Sequence, residues 1–517
     1  MTPVSALQLP APGAVAHVAA TELAKVLGPA QVSLRDEDRL SYARDMWPKA
    51  LLWIRQGRIP PPPDLVAWPA SEAEVAAVIA VARAHKLAVV PFGAGSGVCG
   101  GTIALRGGIA LDLKRLETIG RVDPVNLWVE VDAGVIGEVL ERNLNEQGYT
   151  LGHFPSSIYM STVGGWLAAR SAGQLSNKYG KIEDMVLSLR AVTGAGEVVE
   201  TPPRPFLGPD LGQVLLGSEG TLCVFTRVRL RVHPVPQHRA FRGLRFKTVE
   251  AGVEAMRLLF AAGLRPAVVR LYDPFDTALV GKEKPKKKKD LAPSLRTSLR
   301  ADLLPAALRK LTPLTLGHPS LMNRAADLFQ HCRMILMFEG EPRRTQEEAQ
   351  EAVRLCEKAG GHDEGEAPGQ AWFKKRYDVS YKMSKVVDAG AFADTMEVAA
   401  TWDRVLPVYQ AVRQAAAGLA FVLCHFSHAY PEGCSLYFSL VSSAGSEGDQ
   451  EKRYDTLWET ILEAATGAGA NVSHHHGVGV LKAAQLAREL GDGRRLLLAL
   501  KGALDPDGIL NPGKLSL

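Results

Sequence analysis

Three consecutive histidines, His474, His475 and His476, lie between Asn471-Val472-Ser473 and Gly477-Val478-Gly479. Imidazole changes charge near neutral pH, so such a run suits hydrogen bonding and proton exchange with a bound substrate. Neighbouring side chains cannot all reach one metal ion from a strand or helix. In an extended segment His474 and His476 share a face and His475 takes the opposite one. A metal site of His474, His476 and an acid stays open on spacing, as does a solvated polar loop, and no metal is assigned. The second chemical signal is glycine. Pro91-Phe92-Gly93-Ala94-Gly95-Ser96-Gly97, with Gly100-Gly101 behind it, lets successive backbone N–H groups turn to one side and make a concave anion site of diphosphate size. A tight turn between strands is the other reading, and no periodic helix opens directly after the loop as a Rossmann site requires. Two further small-residue turns, Ser161-Thr162-Val163-Gly164-Gly165-Trp166 and Gly217-Ser218-Glu219-Gly220-Thr221-Leu222, frame the same region.

The elements that must position these residues show as periodicity. Four prolines at 60–63 predict a boundary, with residues 1–58 as an N-terminal arm carrying an amphipathic stretch over 16–27. Ser71-Glu72-Ala73-Glu74 predicts a capped helix start, and Leu87-Ala88-Val89-Val90-Pro91 a strand feeding the glycine loop. Strand-like runs at 108–113, 127–131, 187–193, 223–225 and 228–232 then alternate with helical ones, including 135–147. A second sheet-and-helix region begins with a strand over 241–246, a helix over 253–262 and a strand over 267–272 that carries Arg270. A later strand-like run, 433–440, carries Tyr437, and Cys424-His425-Phe426-Ser427-His428 precedes it. This order predicts an α+β protein of two domains. Sixty basic against 55 acidic residues leave +5 over 517 residues, too dilute for a nucleic-acid partner. Cys99, Cys223, Cys332, Cys356, Cys424 and Cys434 never form a C-x-x-C pair, which argues against a disulfide framework and for a reducing, cytoplasmic setting. Neither a spanning helix nor a signal peptide is expected.

Together these motifs resemble the FAD-binding fold of the vanillyl-alcohol oxidase type. The wording is most similar to the alkyldihydroxyacetonephosphate synthase (alkylglycerone-phosphate synthase) family, through Ser161 to Trp166, Tyr179-Gly180-Lys181-Ile182-Glu183-Asp184 and Ser473-His474-His475-His476-Gly477-Val478-Gly479. The resemblance implies a two-domain fold with a sheet-and-helix cap: residues 59–236 bind FAD, 237–465 form the substrate or cap domain over the flavin ring, and 466–517 return to the flavin. It implies non-covalent FAD, with His153 and Cys99 as the residues to consider for a covalent link. Cofactor contacts would come from Pro91, Phe92, Gly93, Ala94, Gly95, Ser96 and Gly97, from Ser156, Ser161, Thr162, Gly165, Ala168, Arg170 and Ser171, and from Gly217, Ser218, Glu219, Gly220, Thr221 and Leu222. Arg170 would add a positive charge near the diphosphate, or act as a surface or capping arginine. Glu183 and Asp184 would meet the ribose or cap a helix.

The implied reaction exchanges the acyl group of acyl-dihydroxyacetone phosphate for a long-chain alcohol, a step of ether lipid synthesis. Tyr437 would move the carbon-bound proton, His474, His475 and His476 would serve the entering alcohol, and Arg270 would hold the phosphate. One departure stands out: the family's second arginine falls on Tyr381-Lys382-Met383-Ser384, leaving Lys382, or Lys374, Lys375 or Arg376 nearby, as the substitute charge, and a lysine lacks the guanidinium fork. That departure keeps a second class in view, an FAD-dependent dehydrogenase of a D-2-hydroxy acid such as lactate or glycolate, with Arg270 on the carboxylate. The insertion 282–330 opens with six lysines over 282–289. It reads as a solvated loop or as a segment meeting anionic lipid, which would place the protein at a membrane surface. The expected partner is a small-molecule or lipid substrate, with no nucleic acid, and a homodimer is among the assemblies open to the chain.

Overall fold

The computed structural model describes residues 9–204, 208–280, 319–320, 323, 331–377 and 390–517. They form two compact units, Met1–Pro236 with Val472–Leu517, and Gln237–Asn471.

The first unit begins with α1 (Ala14–Leu27) and β1 (Val32–Ser33). These residues do not stand apart as an arm. The alanine face of α1, Ala16, Ala19 and Ala20 with Leu23 and Leu27, joins the core of β2 (Leu65–Ala67), α2 (Glu72–His85), β3 (Val89–Phe92) and β4 (Ile109–Asp112). β1 pairs antiparallel with β2 across the prolines, so those prolines turn the chain without ending the unit. The buried Arg39 guanidinium donates to the carbonyls of Pro63 and Pro10, which fastens the proline run from inside. Ser71 caps α2 by accepting from the Glu74 N–H. The sheet order is β1-β2-β4-β3, parallel except for β1.

A second sheet of this unit is antiparallel. It contains β5 (Trp128–Asp132), β6 (Val186–Thr193), β7 (Val198–Glu200) and β8 (Cys223–Arg231), in the order β5-β8-β6-β7. The runs expected at 223–225 and 228–232 are one strand, β8, whose pairing with β6 shifts register by bulges. The chain's last residues complete the first sheet: Val89 donates to the Ile509 carbonyl at 2.8 Å, and its own carbonyl accepts from Asn511 at 2.8 Å.

The second unit is built on a seven-stranded antiparallel sheet. Its strands are β9 (His238–Phe246), β10 (Val268–Tyr272), β11 (Cys332–Gly340), β12 (His362–Asp363), β13 (Phe392–Thr401), β14 (Phe421–Ala429) and β15 (Gly433–Ser442), in the order β12-β9-β11-β10-β14-β15-β13. One face carries Leu271, Phe426, Leu436, Phe438 and Met396, all buried, beside α3 (Val249–Ala261), α4 (Trp402–Ala416) and α5 (Glu447–Gly467). Side chains alternate along each strand, so the residues between these belong to the opposite, polar face. Among the described residues no helix is long and apolar enough to cross a membrane.

Candidate functional site

In the first unit β3 ends at Phe92 and the glycine loop follows. A Cβ on Gly93 would lie 2.3 Å from Thr162 Oγ1, and one on Gly95, at φ +65°, would lie 2.7 Å from the Phe92 ring. Only glycine permits this path of the backbone. Met46 donates to the Gly97 carbonyl at 2.8 Å and Lys114 Nζ to the Gly93 carbonyl at 2.9 Å, so the loop is held from outside through its carbonyls. The turn around Gly217 and Gly220, at φ +79° and +73°, packs against the same strand: a Cβ on Gly220 would meet Pro91 Cγ at 2.9 Å.

Several residues expected at the cofactor also build the frame around it. The Ser161 hydroxyl donates to the Ser157 carbonyl at 2.9 Å and accepts from Trp166 Nε1 at 2.8 Å. Thr162 caps the short helix Val163–Ala169 by accepting from the Gly165 N–H, and Thr221 donates to the Ser218 carbonyl. Arg170 donates to the carbonyls of Gln213 and Leu216 at 2.6 and 3.1 Å, which makes it a clamp on the 213–220 turn. Asp184 caps its own short helix by accepting from Lys181 N–H, and Glu183 pairs with Lys181 Nζ at 2.8 Å. Ser171 meets His153 Nε2 at 2.9 Å, and Ser156 accepts from Gln174 at 3.4 Å.

The Glu219 carboxylate ties the 217–220 turn to the histidine loop. It accepts from the backbone N–H of Val478 at 2.5 Å and of Gly479 at 2.8 Å, directly after the histidine run. Burial pushes its pKa up while these two N–H groups pull it down. Gly477 must be glycine here, since at φ +78° its Cβ would lie 2.7 Å from Glu219 Oε1; on Gly479 a Cβ would lie 2.1 Å from the Cys99 carbonyl. That carbonyl accepts from Val480 and Leu481, while Asn511 Nδ2 donates to the carbonyls of Gly101 and Glu219. One carboxylate and one amide therefore lock the glycine loop, the 217–220 turn and the histidine loop together. Lys181, which sequence reasoning passed over within its own motif, fastens the other end by donating to the His474 carbonyl at 2.9 Å.

The histidines are not extended. His475 lies edge-on to both neighbours, with ring centroids 5.2 Å from His474 and 4.7 Å from His476, and His474 Nδ1 lies 3.0 Å from His475 Nδ1. The expected split into two faces fails because the Gly477 turn and the Lys181 contact bend the segment. His153, 1% exposed, packs on Trp166 at 4.5 Å, and burial with the nearby His475 pushes its pKa down to about 3.

The second unit supplies a separate group. Tyr272, His425, Tyr437 and Glu397 are direct cross-strand neighbours on β10, β14, β15 and β13, so they stand in one row on one face. Arg270, two residues before Tyr272, shares that face. His425 stacks on Tyr437 with centroids 4.6 Å apart and ring planes 17° apart, and Arg270 Nη2 contacts His425 Nε2. Burial raises the Tyr437 pKa, whereas the bond to Thr395 and the Arg270 charge pull it down. Lys382 lies outside the described residues, as does the insertion 282–330 apart from Pro319, Ser320 and Asn323.

Known proteins fall on the same layout. Residues 63–202 match the family model of the FAD binding domain, and residues 235–515 match that of the FAD linked oxidases, C-terminal domain. The chain belongs to the FAD-linked oxidase family. An alkyldihydroxyacetonephosphate synthase of Trypanosoma brucei brucei is 30% identical over 514 residues, covering 96% of this chain and 80% of that one. A solved alkyldihydroxyacetonephosphate synthase superposes with a TM-score of 0.78 at 27% identity, over 98% of this chain and 86% of that chain. For the fold alone, p-cresol methylhydroxylase matches with a TM-score of 0.70 at 16% identity, over 98% of each chain. D-lactate dehydrogenases match at 24–25% identity.

The protein is thus an FAD-dependent enzyme with the vanillyl-alcohol oxidase type of fold. The first unit fits that cofactor on its own terms. Its loop glycines close the space where side chains would stand, leaving backbone N–H groups as the available donors. Thr102 Oγ1, His153 Nδ1 and Asn511 Oδ1 are buried without a hydrogen-bond partner among the described residues. Buried polar atoms are rarely left so, and a polyhydroxylated cofactor supplies partners.

Proposed function

We propose that this flavoenzyme exchanges the acyl group of acyl-dihydroxyacetone phosphate for a long-chain alcohol, releasing the fatty acid and forming an alkyl ether. The observation that carries the reading is the row on the second unit's sheet, where an anion-binding guanidinium, Arg270, stands on the same face as the half-buried phenol of Tyr437. Bound FAD supplies a ring that takes up and returns an electron pair, so the exchange is redox-neutral. Arg270 holds the phosphate through its fork, with Lys382 as a second positive charge. Tyr437 transfers the carbon-bound proton, and His474, His475 and His476 take the proton from the entering alcohol. Pro91 to Gly97 and the turn from Gly217 to Leu222 hold the cofactor through backbone N–H groups. Ser156 and Ser171 line the same cofactor segment, with Ala168 and Gly165 giving room for it. FAD is held without a covalent bond: the His153 ring is engaged by Ser171 and Trp166, and Cys99 Sγ points to the Gly477 carbonyl at 3.6 Å.

Two readings go beyond the enzyme itself. The 282–330 segment contacts an anionic lipid surface, which suits long-chain substrates; its deletion should reduce liposome co-sedimentation, and unchanged sedimentation ends that reading. The protein works in the cytoplasm. For the activity, an anaerobic visible spectrum is the test. Bleaching by acyl-dihydroxyacetone phosphate with fatty-acid release is expected; bleaching by D-lactate or glycolate with oxo-acid formation instead would make the enzyme a dehydrogenase.

A further inference from the structure

On the polar face of the second unit's sheet, His425 meets four side chains. His425 lies directly opposite Tyr272 on one side and Tyr437 on the other. Its Nε2 faces Arg270 Nη2, and its Nδ1 lies 3.4 Å from Asp276 Oδ2 at the start of the helix Pro274–Val280. A guanidinium has only donors, so the nitrogen facing it must be bare. The ring proton then sits on Nδ1 and is directed at the carboxylate. This fixes both the tautomer and the ring plane, the latter further held by the 4.6 Å stack on Tyr437. The His425 side chain is 8% exposed and that of Asp276 15%, so water does little to loosen the chain of contacts.

The consequence falls on Arg270. One of its terminal nitrogens is engaged by His425, while its Nε is buried with no hydrogen-bond partner among the described residues. An N–H of a buried guanidinium left without an acceptor is unfavourable, and an anionic oxygen is the acceptor that suits it. We propose that Asp276 and His425 are positioning residues, a carboxylate–imidazole pair that holds the Arg270 fork in place so that its Nε side receives the anionic group of the substrate, a phosphate monoester. The inference rests on Arg270 being the substrate's anion partner and goes beyond it, because it assigns the origin of that residue's geometry to two side chains. Burial pushes the Asp276 pKa up to about 6 and the Arg270 charge opposes this, so the carboxylate answers the guanidinium through the ring between them.

The test uses the full-length, FAD-loaded protein and two readouts, the KM for acyl-dihydroxyacetone phosphate and the Kd of dihydroxyacetone phosphate by titration calorimetry. His425→Phe keeps the ring and the stack but removes the acceptor, and should raise both constants about tenfold, the scale of one hydrogen bond to a charged group. His425→Gln restores an acceptor and should stay within about threefold of the parent, while Asp276→Asn should raise both constants by about threefold or more. Flavin absorbance and the thermal midpoint report folding for each variant. A folded His425→Phe with both constants unchanged overturns the proposal; if that variant does not fold, an unchanged Kd in Asp276→Asn overturns it instead. Arg270→Met separates the layers. Loss of binding there with none in His425→Phe removes only the positioning pair, whereas an unchanged Kd in Arg270→Met removes Arg270 as the anion partner.

Discussion

The two units prepare chemistry in opposite ways. The first works through backbone: its loops come from residues 91–101, 217–220 and 474–479, and side chains such as Glu219, Asn511 and Lys181 hold main-chain atoms there. The second works through side chains: Arg270, His425 and Tyr437 are aligned by strand register, and the backbone beneath them is an ordinary antiparallel ladder. A site made of amides fails when its frame moves, whereas a site made of side chains on a sheet loses only the group removed.

The strongest break of this contrast is Glu219→Ala. It leaves two loop N–H groups without their acceptor and should lower unfolding free energy by about 3 kcal/mol. Flavin should be lost on gel filtration, read as a reduced visible-to-ultraviolet absorbance ratio; retained flavin with an unchanged melting curve would mean that the loops are held by something else. Tyr437→Phe should behave in the opposite manner. The fold and flavin content should persist while turnover drops about 100-fold or more, as steady-state kinetics beside a thermal melt would report. Gly477→Ala is a milder test of the backbone frame. The positive φ and the crowding by Glu219 should reduce stability by about 1–2 kcal/mol, measurable by denaturant unfolding, while Gly467→Ala, in a helix with open space around it, should instead raise stability by about 0.4–1 kcal/mol.

A pH-dependent effect concerns Asp45, whose carboxyl burial raises from 3.8 to about 6. The native protein then holds this proton more tightly than the unfolded chain does. The stabilisation is fully present below pH 3.8 and is lost as the pH rises through about 6. Asp45→Asn should flatten that part of the stability–pH curve in thermal melts; an equal slope in both proteins would show that Asp45 is not its source.

The same contrast explains what was legible in the sequence. Glycine announces its own purpose, so the loop at 93–97 and the turn at 217–220 could be read directly, and the alternation around Arg270 and Tyr437 marked their strands. The 1–58 arm was misplaced because a proline run reports local conformation and says nothing of β1 pairing with β2 across it. The framing role of Glu219 is not legible in the sequence because its partners, Val478 and Gly479, lie far along the chain and offer only N–H groups, which no residue type reveals. The bent histidine run has the same origin, since Lys181 and Gly477 act on it through backbone atoms. Asp276 gave no signal at all, because an acid at a helix start is most often a cap.

The pairing of Val89 with Ile509 and Asn511 has a consequence for how the protein is made. The second unit is one stretch, Gln237–Asn471, whereas the first is built from residues on both sides of it, up to Pro236 and from Val472. The edge of the first sheet beside the glycine loop therefore closes only after the whole intervening unit has been synthesised, and FAD meets a finished cradle only once residues 509–511 have been made.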